Sequence, residues 1–200
     1  MVKSKLLVVT VGVAGALALS GCDMIMGYFR AQREATKWEG PVKEITYAKL
    51  DKDGKVFDIE MHSRIDAPID KVWEAVKQPE RLSEFSEQYK KSALLKEDGN
   101  KKEIELHVLA LGNLQQFTMQ LTFNDAAHTV DVQTLKSTLS DIQGSYELRA
   151  SPDGAKTLYV YKAKATDKVA LPVSTDVQRS AIKESFVSQV NAIKKQLGLS

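Results

Sequence analysis

The feature that most constrains the fold of this 200-residue chain is a series of alternating apolar and polar segments, followed by one long helical segment. Seven alternating segments lie between residues 56 and 166, and a period of two is typical of strands with one buried face. Their short polar connections favour antiparallel hairpins. Residues 174–198 then repeat apolar residues at helical spacing. We therefore predict an α+β domain of about seven strands, with the last helix covering the apolar face of the sheet.

The segment between the first two strands carries the most specific pattern. It reads "IDAPIDKVWEAV" at residues 65–76, which predicts a helix that begins near Pro68 and carries Trp73 on its apolar face. A strand ending in Ala-Pro, a helix with Val-Trp, and a Leu-Pro pair (Leu171, Pro172) before the last helix together resemble the START-like superfamily. This superfamily is also called SRPBCC or Bet v 1-like, and it includes the polyketide cyclase and coenzyme Q-binding types.

The resemblance implies a helix-grip fold, in which a curved antiparallel sheet wraps around the C-terminal helix and leaves an apolar cavity between them. Such cavities hold lipids, sterols, quinones, polyketides or hormones. Only minorities of the superfamily catalyse reactions. The resemblance thus implies a hydrophobic small-molecule partner, without a cofactor.

The register of the last strand decides which side chains face that cavity. Leu158 and Val160 share one face with two lysines, whereas Tyr159 and Tyr161 lie on the other. Burying two lysines costs far more than exposing Leu158 and Val160, so we predict that the tyrosines point inward and that Leu158 and Val160 are exposed. The tyrosine hydroxyls can then orient a polar ligand head.

The predicted cavity residues are aromatic or flexible apolar side chains on the inward faces of the strands and helices. They are Trp73, Phe117, Met119, Leu121, Tyr146, Tyr159, Tyr161, Phe186 and Val190. The alternative for each of them is an ordinary core position.

The sequence contains no motif for a catalytic or metal site. It has no nucleophile elbow, phosphate loop or zincin helix, and no paired cysteines. Its histidines, His62, His107 and His128, lie on separate elements with no ligand at metal-binding spacing. We therefore expect no catalytic residue and no metal, although an inward-facing His107, Asp or Glu would favour an enzyme of the cyclase or hydrolase type.

The only cysteine, Cys22, follows an uncharged apolar run from Leu6 to Leu19. A basic start, a run shorter than the roughly 20 residues of a spanning helix and small residues at its end indicate a signal peptide. Leu19-Ser20-Gly21-Cys22 resembles the lipobox of bacterial lipoproteins, which implies diacylation of Cys22, for example with palmitate, and cleavage just before it. The position of Asp23 resembles the signal that keeps enterobacterial lipoproteins in the inner membrane.

These features predict three parts: a signal peptide at residues 1–21, a lipid-anchored tether at 22–55 and the domain at 56–200. Residues 45–50 of the tether read as a possible edge strand. We expect the protein in the bacterial cell envelope, facing the periplasm or the cell exterior.

The charge of the mature chain excludes one class of partner. Two of the 28 basic residues, Lys3 and Lys5, lie in the leader, and all 26 acidic residues follow it, so the mature chain is neutral. Nucleic-acid binders usually carry a basic excess, so we expect none here.

Three functional hypotheses remain at this point. The first is a tethered carrier or sensor with a cavity free of paired ionisable groups. The second is an enzyme on the same fold. The third is a structural or adaptor lipoprotein with a filled core.

Overall fold

The structure, a computed structural model, describes residues 38–39 and 42–199. Contacts within the chain divide it into two compact units, Met1–Gly40 and Pro41–Ser200. The second unit contains the sheet and the long C-terminal helix. The predicted signal peptide, Cys22 and the predicted tether up to residue 37 lie outside the described residues. Within the described ranges, no helix is long and apolar enough to cross a membrane.

The second unit is an eight-stranded antiparallel sheet with a long C-terminal helix, which confirms the predicted helix-grip fold. The strands are β1 (Tyr47–Asp53), β2 (Val56–Ile65), β3 (Tyr89–Asp98), β4 (Lys101–Ala110), β5 (Asn113–Asn124), β6 (Thr129–Ser137), β7 (Ser140–Ala150) and β8 (Thr157–Asp167). The helices are α1 (Ile69–Val76), a 3₁₀ turn (Pro79–Arg81), α2 (Leu82–Phe85) and α3 (Thr175–Gln196).

The strand order in the sheet is β1-β2-β8-β7-β6-β5-β4-β3. One strand more is present than the seven predicted, because β1 pairs with β2 along its whole length at the sheet edge. This strand overlaps the segment that reads as a possible edge strand, within the stretch assigned to the tether.

Helix α3 has the ends that its sequence predicts. The Ser174 hydroxyl accepts a hydrogen bond from the Val177 amide, which caps the first turn. Gly198 follows the helix with a φ of +71°, a left-handed conformation that suits glycine. Phe186 and Val190 from the apolar stripe are buried in the main core with residues of the sheet. The helix therefore closes the concave face of the sheet.

Gly144 in β7 marks the place where two strands approach too closely for a side chain. A Cβ atom there would lie 2.2 Å from the Lys162 carbonyl oxygen and 2.5 Å from the Ala163 Cβ in β8. Because backbone cannot rotate away as a side chain can, the β7–β8 pairing would have to shift.

We therefore expect Gly144→Ala to destabilise the fold by about 3 kcal/mol or more, as overpacking of a tight site does. Urea unfolding monitored by circular dichroism measures this change. Ser145→Ala, at the next position of the same strand, is the control and should cost less than about 1 kcal/mol. Equal midpoints for the two variants would contradict the close approach.

Candidate functional site

An apolar cavity of about 220 Å³ lies between the concave face of the sheet and α3. Seven strands, β2 to β8, and the part of α3 from Gln178 to Gln189 supply its walls. The apolar wall residues include Phe57, Ile59, Met61, Leu106, Phe117, Met119, Ile142, Ile182 and Phe186. We call this space the outer chamber. An engineered apolar cavity of about 150 Å³ holds benzene, so the outer chamber is large enough for a bigger molecule.

A second space of about 70 Å³, the inner chamber, lies toward α1 and the 3₁₀ turn, where Ala75, Val76 and Pro79 line it. The two chambers share several wall residues. These are Tyr89, Leu106, Met119, Val132, Tyr146 and Gln189. A ligand that filled the outer chamber would therefore contact side chains that also line the inner chamber.

The edge of the outer chamber is formed by leucines on three chain turns. Leu111, Leu139 and Leu171 are half-buried and lie in the β4–β5, β6–β7 and β8–α3 connections. Leu111 has a φ of +52° and is followed by Gly112 at +74°. A left-handed conformation is unfavourable for leucine, so this hairpin tip holds an apolar side chain at the cavity edge at some cost in backbone strain.

One end of the outer chamber is polar. Asp167 and Gln178 line it, and the Lys52 ammonium donates hydrogen bonds to both, at 2.9 Å to Asp167 Oδ2 and 2.7 Å to Gln178 Oε1. The lysine also lies 4.6 Å from the centre of the Phe57 ring. The expectation of a cavity free of paired ionisable groups is thus wrong at this end, because Lys52 and Asp167 are far apart in sequence and only the sheet brings them together.

A stack of aromatic rings forms one wall. Tyr146 and Tyr161 face each other across β7 and β8, with ring centres 4.8 Å apart, and Tyr159 stacks on Tyr146 at 5.2 Å. The Tyr146 hydroxyl donates a hydrogen bond to Gln189 Oε1 at 3.1 Å. Burial raises the pKa of Tyr146 to about 12, although the hydrogen bond to Gln189 opposes this rise. Tyr146 is therefore a neutral hydrogen-bond donor at physiological pH.

Most of the predicted cavity residues lie around the two chambers. Those in the outer chamber are Phe117, Met119, Tyr146, Tyr161 and Phe186. Those in the inner chamber are Met119, Leu121, Tyr146 and Tyr159.

Two of the predicted residues line neither chamber. Trp73 packs against Phe123 and His128, and its indole N–H donates to Asp125 Oδ1 at 2.7 Å, so it fixes α1 to the β5–β6 turn. Val190 is buried in the core beneath α3. Both fill space where the helices meet the sheet closely.

The register prediction for β8 is correct for the inward face only. Tyr159 and Tyr161 face the cavity, but Leu158 and Val160 are each only 1% exposed on the opposite face. The argument from the two lysines holds only for the C-terminal half of β8, where both lysine side chains are exposed. Leu158 lies between Arg64 and Arg149 on the neighbouring strands, and long side chains of this kind cover apolar surface with their stems.

Sequence reasoning missed several polar residues of the site, among them Lys52, Tyr89, Asp167, Gln178 and Gln189, and most of the apolar wall residues. Gln189 had a detectable signal, since it lies three residues after Phe186 on the apolar side of α3. Tyr89 begins β3, and Lys52 and Asp167 lie at strand ends, where alternation is not informative.

The three histidines lie away from the cavity walls. His62 and His107 are hydrogen-bonded to Glu60 and Glu105 on their own strands, at 2.9 and 2.7 Å, on the faces that the sequence predicts. No group of acidic, histidine or cysteine side chains suited to a metal ion occurs in the described part of the chain.

The fold and the cavity define the class of protein: a helix-grip domain with an apolar space between its sheet and its last helix. The chain belongs to the family described as "Polyketide cyclase / dehydrase and lipid transport", whose family model matches residues 56–198. No curated protein matches the sequence.

Solved structures with this fold are distant in sequence. The Zhui aromatase/cyclase from Streptomyces sp. R1128 has a TM-score of 0.63 at 17% identity, over 70% of this chain and 93% of its own. A START superfamily protein from Mycobacterium smegmatis has a TM-score of 0.57 at 13% identity, over 72% and 97%. The di-domain ARO/CYC BexL from the BE-7585A biosynthetic pathway has a TM-score of 0.58 at 15% identity, over 70% and 50%. These similarities show a shared fold.

Proposed function

We propose that this protein is a membrane-anchored lipoprotein of the bacterial cell envelope that binds a hydrophobic small molecule, as a carrier or sensor. The ligand class is a lipid, a quinone or a sterol-like compound. The observation that carries the proposal is the apolar outer chamber of about 220 Å³ between the sheet and α3. A core with that much space does not fit an adaptor with a filled interior, since native cores are close-packed.

The anchor part of the proposal is supported by the lipobox-like sequence that ends in Cys22. One acyl chain holds a protein only marginally, whereas two or more give stable attachment. A tether to the bilayer raises the effective concentration of the cavity near apolar molecules that partition there. The family description, which includes lipid transport, agrees with this activity.

The proposal predicts that the mature chain, residues 22–200 expressed without its leader in a bacterial host, co-purifies with a stoichiometric apolar molecule. Native mass spectrometry and extraction of the bound compound identify it. Phe117→Asp should remove the ligand, because a carboxylate on the chamber wall is costly to bury beside an apolar molecule.

Gln116→Asp places the same charge on the exposed face of the same strand and serves as the control. It should retain the ligand. A protein that is empty after purification and also takes up no apolar dye would contradict the proposal and favour an adaptor.

A second candidate is an enzyme of the cyclase or hydrolase type, and one observation favours it. Asp167 is the only carboxylate among the described residues that line the chambers. Its pairing with Lys52 resembles a positioned acid–base pair in a partly buried site. Conversion of a co-purified compound by wild-type protein, but not by Asp167→Asn, would establish this activity.

A further inference from the structure

Four phenolic side chains from three strands meet in a mostly apolar cavity. Tyr146 and Tyr161 line the outer chamber from β7 and β8, and Tyr159 lines the inner one. Tyr89, from the opposite edge of the sheet, lines both chambers. We call these four residues the tyrosine cluster. Polar groups that converge in an apolar pocket are the usual means by which a protein orients a ligand.

Most hydroxyl groups of the cluster make no hydrogen bond to the described part of the protein. In the part of the chain that the structure describes, Tyr146 alone of the four has a hydrogen-bond partner, Gln189. The Tyr159 hydroxyl is fully buried and has no partner among the described residues. A buried polar group without a partner is costly, and native proteins rarely contain one without a reason. An oxygen atom on a bound ligand would satisfy it.

The cluster can act only as a set of hydrogen-bond donors toward such a ligand. Burial raises the pKa of Tyr89, Tyr159 and Tyr161, and the charge that neighbouring tyrosines would carry raises it further. All of these hydroxyls therefore keep their protons at neutral pH. None of the described residues that line the inner chamber is a cation, so a neutral oxygen fits there better than a carboxylate.

The shape of the aromatic wall favours a flat molecule. The ring planes of Tyr146 and Tyr161 are inclined by 22°, and those of Tyr161 and Phe186 by 17°. All three rings also line the outer chamber. A planar ring that enters this chamber can add to the stack in the offset geometry that aromatic pairs prefer. An extended alkyl chain gains no such contact.

We propose that the tyrosine cluster is an oxygen-binding subsite, and that it selects a planar compound of about two fused rings with a carbonyl or hydroxyl oxygen. In this arrangement the ligand oxygen lies at the tyrosine cluster and the apolar part lies toward the leucine edge. The size follows from comparison with the roughly 150 Å³ cavity that holds benzene. This inference rests on the proposed binding function and narrows it to one ligand class.

Two probes with the same ring skeleton test the proposal: 1-tetralone, which has a ring carbonyl, and tetralin, which lacks it. Isothermal titration of the mature chain, residues 22–200, should give an affinity for 1-tetralone at least about ten-fold higher than for tetralin, as expected for one or two hydrogen bonds. The double variant Tyr159→Phe/Tyr161→Phe should bind both probes about equally. Tyr47→Phe, which changes an exposed tyrosine on β1, should keep the wild-type preference.

The thermal stability of the ligand-free protein distinguishes a ligand-binding role of Tyr159 from a purely structural role. Tyr159→Phe removes a hydroxyl that has no partner among the described residues, so the Tm of the empty protein should stay equal or rise. The increase in Tm on adding 1-tetralone should become smaller. Equal binding of 1-tetralone and tetralin to the wild type, or tighter binding of 1-decanol than of 1-tetralone, would overturn the subsite and leave the binding function standing. Binding of none of the three probes would overturn both.

Discussion

Replacement of Cys22 by serine is expected to abolish acylation and processing of the protein completely. Wild-type protein expressed with its full leader should incorporate alkynyl-palmitate and lose residues 1–21, because we propose that the thiol of Cys22 carries a lipid that is added before cleavage. Cys22→Ser removes the thiol, so its labelling should fall to background and its mass should retain the leader. Each buried CH₂ contributes about 0.8 kcal/mol to membrane attachment, so a sixteen-carbon chain contributes on the order of 10 kcal/mol.

Ser20→Ala is the matched control for this experiment, since it keeps a small residue in the lipobox and should be labelled like the wild type. In-gel fluorescence and intact-protein mass spectrometry give the two readouts. Labelling of Cys22→Ser, or wild-type protein that keeps residues 1–21, would show that Cys22 does not anchor the chain.

Filling the outer chamber should abolish ligand binding without unfolding the domain. Ala181 lies on α3 and lines this chamber, so Ala181→Phe places a phenyl ring in the space proposed for the ligand. Since a cavity of about 150 Å³ holds one benzene, the new ring takes a large share of the 220 Å³ present. We expect a loss of at least about 100-fold in affinity, or more than 2.7 kcal/mol by the ten-fold per 1.4 kcal/mol relation.

The same variant should be at least as stable as the wild type, because it buries apolar surface in empty space at about 25 cal/mol per Å². Displacement of a fluorescent naphthylamine dye reports affinity, and thermal unfolding reports stability. Ser180→Phe adds the same ring at the neighbouring exposed position and should bind the dye normally. Unchanged dye affinity in Ala181→Phe would mean that the ligand site lies elsewhere.

The second hypothesis, an enzyme on the same fold, depends on the polar end of the outer chamber. Two observations are the reason to test catalysis: Asp167 lines the chamber, and it pairs with Lys52. Buried pairs of this kind also occur as purely structural features, since breaking one leaves an uncompensated charge. A measured turnover by the wild type is therefore the deciding result.

The elements and their order were predictable from the amino-acid sequence alone. Alternation of apolar and polar residues is a local property of a strand, so β2 through β8 and the inward direction of Tyr159 and Tyr161 followed from it. The long helix followed from its apolar stripe and its caps. The hairpin connections and the helix-grip arrangement were predictable for the same reason, together with the family resemblance.

Which inward side chains meet empty space, and which fill the core, depends on the tertiary packing. Trp73 and Val190 point inward like Phe117, yet the helices approach the sheet too closely at their positions to leave a cavity. The pairing of Lys52 with Asp167 depends on contacts more than 100 residues apart. These features arise from distances between elements that are far apart in sequence, which many long-range contacts set together and which no local pattern records.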